Sequence, residues 1–378
     1  MNPYDFARID WERPPERRKP TWHHQLVGSE ARHLYSGHID VDVFAETPIF
    51  VSDPRNVPSD PKKPAQFMQN KHSEYVIPGS SLKGMLRSVV ETLGNGCLTL
   101  FDGDYERGQV NYRRDVPQSF QHCSANTNLC LACRTFGMLK EREGGVFLGK
   151  VNIGDAVSYS DTVSKYKPMY TALLMEPKPH HEAFYLDEER KHIAGRKFYF
   201  HHSRDLPPLD EPGMKFFGGR PANRFIQPLD YDTRFHFRVD FSGLEADEFG
   251  ALLLAIALEE NEQTKMRHKI GYGKPSGLGS VYLQPTALTL VDYATRYTRP
   301  AAERGITEYQ GDAMWNLLYD HIDNFTDKYL VAIAMDDLRR IWRWPPEPGV
   351  EYAYPSKRDW FDTSEGRGKR IRDTRNLR

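Results

Sequence analysis

A single strand-to-helix passage constrains this chain more than any other feature: IPGSSLKGMLR, from Ile77 to Arg87. Leu82, Met85, Leu86, Val89, Val90 and Leu93 recur at i, i+3, i+4, i+7, i+8 and i+11, so they share one face of an amphipathic helix. Ser80 or Ser81 can cap its N-terminus, and Gly94 and Gly96 stop it. The residues before Pro78 read as a strand end that turns through Pro78 and Gly79 into the helix. Free N–H groups in the first turn, two hydroxyls and Lys83 make a ready phosphate site. A well-capped helix with an exposed lysine explains the same residues.

A second such unit lies far along the chain. Phe235, Phe237, Val239 and Phe241 alternate with His236, Arg238 and Asp240, and a helix from about Glu245 to Glu259 follows. Upstream, Ile39, Val41, Val43 and Ala45 alternate with Asp40, Asp42 and Phe44 as a half-buried strand. Another strand is expected around Thr286 to Val291, and a C-terminal helix carries Leu330, Ile333, Ala334, Leu338 and Ile341 up to Pro345 and Pro346. Two strand–helix halves with extra strands predict an α+β, ferredoxin-like architecture. The expected division is an N-terminal arm over 1–30, a core over 31–300, and a helical extension with a basic tail over 301–378.

Bulk composition excludes some function classes. Charged residues make up 27% and hydrophobic ones 39%, as in a globular protein rather than a disordered or membrane one. The longest apolar run, Ala251 to Leu258, is too short to span a bilayer. The first residues are charged and proline-rich with no apolar signal region, so a cytoplasmic protein is expected. The formal net charge of -1 does not itself argue for nucleic acid, although a basic face can hide in a neutral sum.

Three of the four cysteines cluster in CSANTNLCLACRTFG, from Cys123 to Gly137. Cys123, Cys130 and Cys133 can supply three corners of a tetrahedral zinc site, with Cys97 or His122 as the fourth. No histidine pair or carboxylate spacing accompanies them, so the expected zinc is structural. Redox use of the C-x-x-C, or plain buried thiols, are the other readings; no βαβ pattern surrounds the motif to support redox. Arg134 beside the cluster can reach a phosphate. Further on, GYGKPSGLGSVYL, Gly271 to Leu283, has four glycines suited to positive φ and close approach of a ligand backbone. Lys274 adds charge and Tyr272 a ring on which a base can stack. Pro275 follows the Gly-Lys, so this is no Walker loop, and a tight turn is the plainer reading.

Taken in order, IPGSSLKGMLR, CLACRTFG, GRKFYFHH (Gly195 to His202) and KIGYGKPSGLGSVYL resemble the RAMP superfamily of CRISPR-associated proteins. The pattern is most similar to backbone subunits of type III effector complexes. That resemblance implies a ferredoxin-like (RRM-like) palm with insertions, among them a thumb hairpin and a zinc-binding loop, plus the C-terminal helical extension. It implies copies stacked with other RAMP subunits along a CRISPR RNA, holding the guide and its duplex with complementary target RNA. The thumb candidate is Lys165 to Leu186; an ordinary packed hairpin fits those residues too. Ser80, Ser81, Lys83 and Arg87 would contact the guide backbone, with Lys274 and Tyr272 on the same groove. Such contacts fix register without reading sequence, which suits a subunit that must hold any guide.

The same resemblance implies an aspartate that cleaves target RNA with Mg²⁺, in the loop before the IPGSS-like turn. That loop, Ser52 to Tyr75, offers Asp53 and Asp60, with Asp60 the nearer to the motif. Both precede proline, and a solvated turn explains either. Two other functions compete. A CRISPR repeat endoribonuclease would process precursor RNA by general acid–base chemistry, with His201 or His202 as its histidine. A zinc-stabilised scaffold subunit would bind no RNA itself.

Overall fold

The computed structural model describes residues 1–378 except 27–32, 57, 59, 61, 99–115, 140–144, 174–181, 205–207, 218, 300–303, 356–359, 361–362, 364–367 and 372–378. In chain order, the elements that build the core begin with β1 (Tyr35–Ala45), β2 (Val76–Ile77), α1 (Gly79–Leu93) and α2 (Leu131–Phe136). Next come β3 (Val151–Ile153), β4 (Ala156–Ser158), β5 (Arg234–Leu244), α3 (Ala246–Ala257) and β6 (His268–Lys269). The last are β7 (Ser280–Val291), β8 (Ile306–Tyr309), α4 (Gly311–Tyr329) and α5 (Ala332–Ile341).

One antiparallel sheet runs β6–β7–β1–β5–β4–β2, with β8 added to β7 and β3 to β5. Its centre is the pair of eleven-residue strands β1 and β5, whose registers set Val41 opposite Phe237 and Val43 opposite Phe235. Period-two alternation turns Ile39, Val41, Val43, Phe235, Phe237 and Val239 to the face that packs with the helices, and each is at most 1% exposed. The predicted apolar face of α1 meets them: Leu82, Leu86, Val89, Val90 and Leu93 are all buried. The opposite face is polar and paired across strands. Arg238 grips Asp40 through Nε at 2.8 Å and Nη2 at 3.1 Å, and His236 Nδ1 lies 3.0 Å from Asp42.

The expected helix over Glu245 to Glu259 is α3, capped by Glu245 in a reciprocal box with Glu248. It is hydrophobic nearly all round because it packs against β5 and β7, against α1 and α2, and against α4. Gly250 permits the contact with α4, since a Cβ there would come within 2.5 Å of the His321 carbonyl. Sequence reading does not anticipate α4, although Met314, Leu318, Ile322 and Phe325 form its buried stripe. The cap expected from Ser80 or Ser81 is corrected: Pro78 occupies the N-cap position of α1 and no side chain caps it. The first residues are tied down rather than loose. Tyr4–Ala7 pairs antiparallel with Arg196–Tyr199, and Arg17–Arg18 pairs with Leu129–Cys130. No helix among the described residues is long and apolar enough to cross a membrane.

Candidate nucleic-acid groove and metal centre

Helix α1 and the glycine-rich segment form two walls of one groove of about 550 Å³. Ser81, Gly84, Met85 and Ser88 come from α1, and Gly271, Tyr272 and Lys274 from the glycine-rich segment. Lys197 and Tyr199, Ser52, and Lys269 at the end of β6 complete its polar lining. Three lysines and three serines therefore converge, and among the described residues no Asp or Glu lines the groove.

The glycines have the conformations their spacing predicts. Gly271, Gly273, Gly277 and Gly279 all have positive φ. Gly279 is the most constrained, since a Cβ would lie 1.8 Å from the Ile270 carbonyl oxygen. The tight course of this segment brings Lys274 back so that its Nζ donates to Gly271 O at 2.8 Å, and burial lowers its pKa. Tyr272 is half-buried, with the Arg224 guanidinium 5.0 Å from its ring centre. Lys197 rests its ammonium over Tyr4 at 3.8 Å and Tyr199 at 4.8 Å. Lys197 and Lys269 are absent from the residues singled out in sequence, though both lie inside the stretches GRKFYFHH and KIGYGKPSGLGSVYL.

The remaining predicted contacts divide. Ser80 is exposed one residue before Ser81, outside the groove lining. At the start of α1, the Gly79 N–H donates to the Asp155 carboxylate at 2.8 Å, so a protein anion already holds the first amide. Lys83 is half-buried and donates to Val151 O at 2.8 Å; burial lowers its pKa, and Arg87 adds to that. Arg87 donates to Glu91 and to Gly137 O, each at 2.8 Å, and reaches Cys133 Sγ at 3.6 Å. Arg134 corrects the expectation of a phosphate contact. It is 1% exposed and spans Asp247 at 2.8 Å, Glu248 at 3.0 Å and Glu245 at 3.4 Å. A guanidinium so enclosed and neutralised cannot reach a ligand's phosphate without leaving the core.

All four cysteines meet at the C-terminal end of α1. Cys97, Cys123, Cys130 and Cys133 are buried, and their sulfurs all lie within 4.8 Å of one another. Cys97 Sγ is 3.6 Å from Cys130 Sγ and 3.7 Å from Cys133 Sγ. The fourth corner is thus filled by Cys97, just past the end of α1, and His122 is not in the group. The Cys130 N–H donates to Cys123 Sγ at 3.3 Å, and Arg87 supplies a positive charge beside the sulfurs. The mutual hydrogen bonding of the four drives Cys130 well below the ordinary thiol range while pushing Cys133 up. Such a set can hold a metal ion.

The two loop aspartates differ in setting. Asp53 follows the groove residue Ser52, and its carboxylate accepts from the Arg55 backbone at 2.9 Å and from Arg55 Nε at 3.1 Å. The Arg55 guanidinium holds Asp53 below the usual carboxylate range. Asp60 is exposed and caps its own turn by accepting from the Lys62 N–H at 2.9 Å. Within the thumb candidate, Met169 is 1% exposed in the core and Tyr170 stacks on Phe225 at 4.4 Å; residues 174–181 lie outside the described set. His201 and His202 are 1% and 5% exposed, and burial pushes both down, His202 to about 3.

The sequence profile of the RAMP superfamily matches residues 45–282, from the end of β1 to the start of β7, well over half of the chain. The chain belongs to the RAMP superfamily. No curated protein matches it. Membership of the RAMP superfamily implies a CRISPR-associated, RNA-binding role in company with CRISPR RNA and other effector subunits. Both walls of the lysine groove and all four cysteines fall inside the matched span of this RAMP protein.

Proposed function

We propose that this RAMP protein is a guide-holding backbone subunit of a type III-like interference complex. The observation that carries the reading is the groove between α1 and the glycine-rich segment, with Lys197, Lys269 and Lys274, three serine hydroxyls and, among the described residues, no carboxylate. A negatively charged strand is the ligand such a lining favours, and lysine and hydroxyl contacts to phosphate hold any sequence. The order β1, α1, β3–β4, β5, α3, β7 follows the β-α-β-β-α-β pattern and supports a ferredoxin-like palm. The exposed sheet face, with Asp40 and Asp42 on its central strand, is the less suitable of the two surfaces for RNA.

The four cysteines are read as a structural zinc site. In a regular tetrahedron with Zn–S bonds of about 2.3 Å, the sulfurs lie about 3.8 Å apart. The 3.6 and 3.7 Å separations to Cys97 support that fit. The same residues would hold the ion in every state of the groove, since none lines it. Target-RNA cleavage with Mg²⁺ is the part of the proposal that rests on Asp53 and Asp60. Asp53, adjoining Ser52, is the better placed. The repeat-endoribonuclease alternative loses ground because His201 has both ring nitrogens engaged and both histidines are buried.

Binding of a short single-stranded RNA, followed across a salt series, tests the groove. Lys197→Ala with Lys274→Ala is expected to weaken binding and to lower the slope of log K against log salt by about 1–2. An unchanged slope in a folded variant would remove RNA from this groove. For cleavage, Asp53→Ala and Asp60→Ala are assayed separately on a guide-complementary RNA; retained cutting in both would take the loop out of the mechanism.

A further inference from the structure

Lys269 differs from the other lysines of the groove. It lines the groove yet its residue is only 4% exposed, and its Nζ donates to Ser280 Oγ at 3.0 Å. The same hydroxyl lies 2.8 Å from His201 Nδ1, and His201 Nε2 lies 2.9 Å from the Arg267 carbonyl oxygen. A carbonyl only accepts, so Nε2 carries the ring hydrogen and Nδ1 is the acceptor. Ser280 must then give its hydroxyl hydrogen to His201, and its oxygen accepts from Lys269. This relay fixes the lysine's position and satisfies one of its N–H bonds.

No carboxylate among the described residues pairs with Lys269. The titratable groups around it are Lys274 from the glycine-rich segment, His201 and His202 from the residues after the Arg196–Tyr199 strand, and Arg267 and His268 just before it in the chain. The nearest carboxylates of that network are committed elsewhere, Glu46 to Arg267 and Arg204, and Glu260 to Arg267. A lysine buried on a groove floor without a counter-charge is costly as an ammonium unless a ligand brings the negative charge.

We propose that Lys269 is the anchoring residue of the groove floor, gaining its counter-charge from a phosphodiester oxygen of the bound RNA strand. The inference rests on the RNA reading of the groove and adds a named residue and a mode of regulation to it. Burial favours the neutral amine in the free protein, whereas an adjacent phosphate favours the ammonium. Binding therefore takes up a proton, and affinity falls as pH rises. Lys197 is exposed on the groove lining, so its removal subtracts charge while leaving that linkage in place.

The test uses the full chain and a dye-labelled oligoadenylate, with anisotropy measured at constant ionic strength from about pH 6.5 to about pH 9, below the ordinary lysine range. Wild-type affinity is expected to fall by up to about tenfold per pH unit where one proton is taken up. Lys269→Met should bind more weakly at the acid end and give a flattened profile, and Lys197→Ala should bind more weakly with the wild-type slope. A wild-type chain that binds with no pH dependence overturns the inference without needing any variant. So does a folded Lys269→Met that keeps the wild-type slope; in both cases the RNA reading stands. A wild-type chain that binds no oligoadenylate at any pH overturns both.

Discussion

Arg134 and Asp247 face each other at 2.8 Å with side chains 1% and 6% exposed, joining the cysteine segment to the first turn of α3. Glu248 at 3.0 Å is buried completely and is shared with Lys150 at 2.6 Å, while Arg18 from the N-terminal residues closes on Asp247 and Glu245. Burial pushes Glu248 up in pKa and the two cations pull it back. Removing Arg134 strands buried carboxylates, so Arg134→Met is expected to cost about 3–5 kcal/mol. Urea denaturation checks the loss, and adding Glu248→Gln to the variant should recover part of it. An unchanged urea midpoint would show that the network contributes nothing to stability.

Cys97→Ser removes the thiol that completes the tetrahedral set. The wild-type chain is expected to carry about one zinc per chain, and the variant to lose most of it and to melt at a lower temperature. His122→Ala should keep its metal. Elemental analysis of the purified proteins decides between them; full occupancy in Cys97→Ser would return the fourth corner to another residue.

Gly279→Ala places a Cβ against the Ile270 carbonyl at a φ of 78°. Conformational strain alone predicts a loss of about 1–3 kcal/mol, with steric displacement of the glycine-rich segment added to it. Since that segment forms one wall of the groove, RNA affinity should fall in parallel with thermal stability. A variant that melts like wild type would contradict the close packing.

Acid should destabilise the fold through its buried imidazoles. His268, whose Nε2 lies 2.7 Å from Ala255 O, is lowered by burial from 6.5 to about 4, and His202 to about 3. Folded pKa values below the unfolded ones mean that the unfolded chain binds more protons in between. The contribution of each neutral imidazole is complete above about pH 6.5 and is lost as pH falls toward the folded value, at up to about 1.4 kcal/mol per pH unit. Urea midpoints at neutral pH and near pH 5 measure this. Equal midpoints, or a higher one in acid, would contradict it.

Where periodicity carried the signal, the sequence was readable. The alternation of Ile39, Val41 and Val43, and of Phe235, Phe237 and Val239, located the sheet centre, and the stripe from Leu82 to Leu93 located α1. Charge roles were harder to read, because a lysine or arginine looks alike in sequence whether its head meets solvent or a buried acid. Arg134 looked like a surface cation and is a core ion partner. Lys269 carries no distinguishing signal in the sequence and lines the groove. Cys97 was one of two candidates for the fourth corner, and only the turn through Gly94, Asn95 and Gly96 after α1 settles it. Asn95 has a positive φ there and its side chain donates to Asp10 O at 2.8 Å, a contact distant in sequence.

The cysteine set also bears on how this chain can change over time. Cys97 and Cys123 are held to the same centre, so whatever joins them in sequence begins and ends at fixed points. Lengthening a segment between anchored ends costs only about 0.6 kcal/mol per doubling. At the two ends of the stretch from 98 to 122, Leu98, Val116 and Phe120 are buried together with Ile9 and Ile193, so its approaches to the sulfurs are held by the core as well. The four sulfurs act as a clasp that fastens segments distant in sequence to the end of α1.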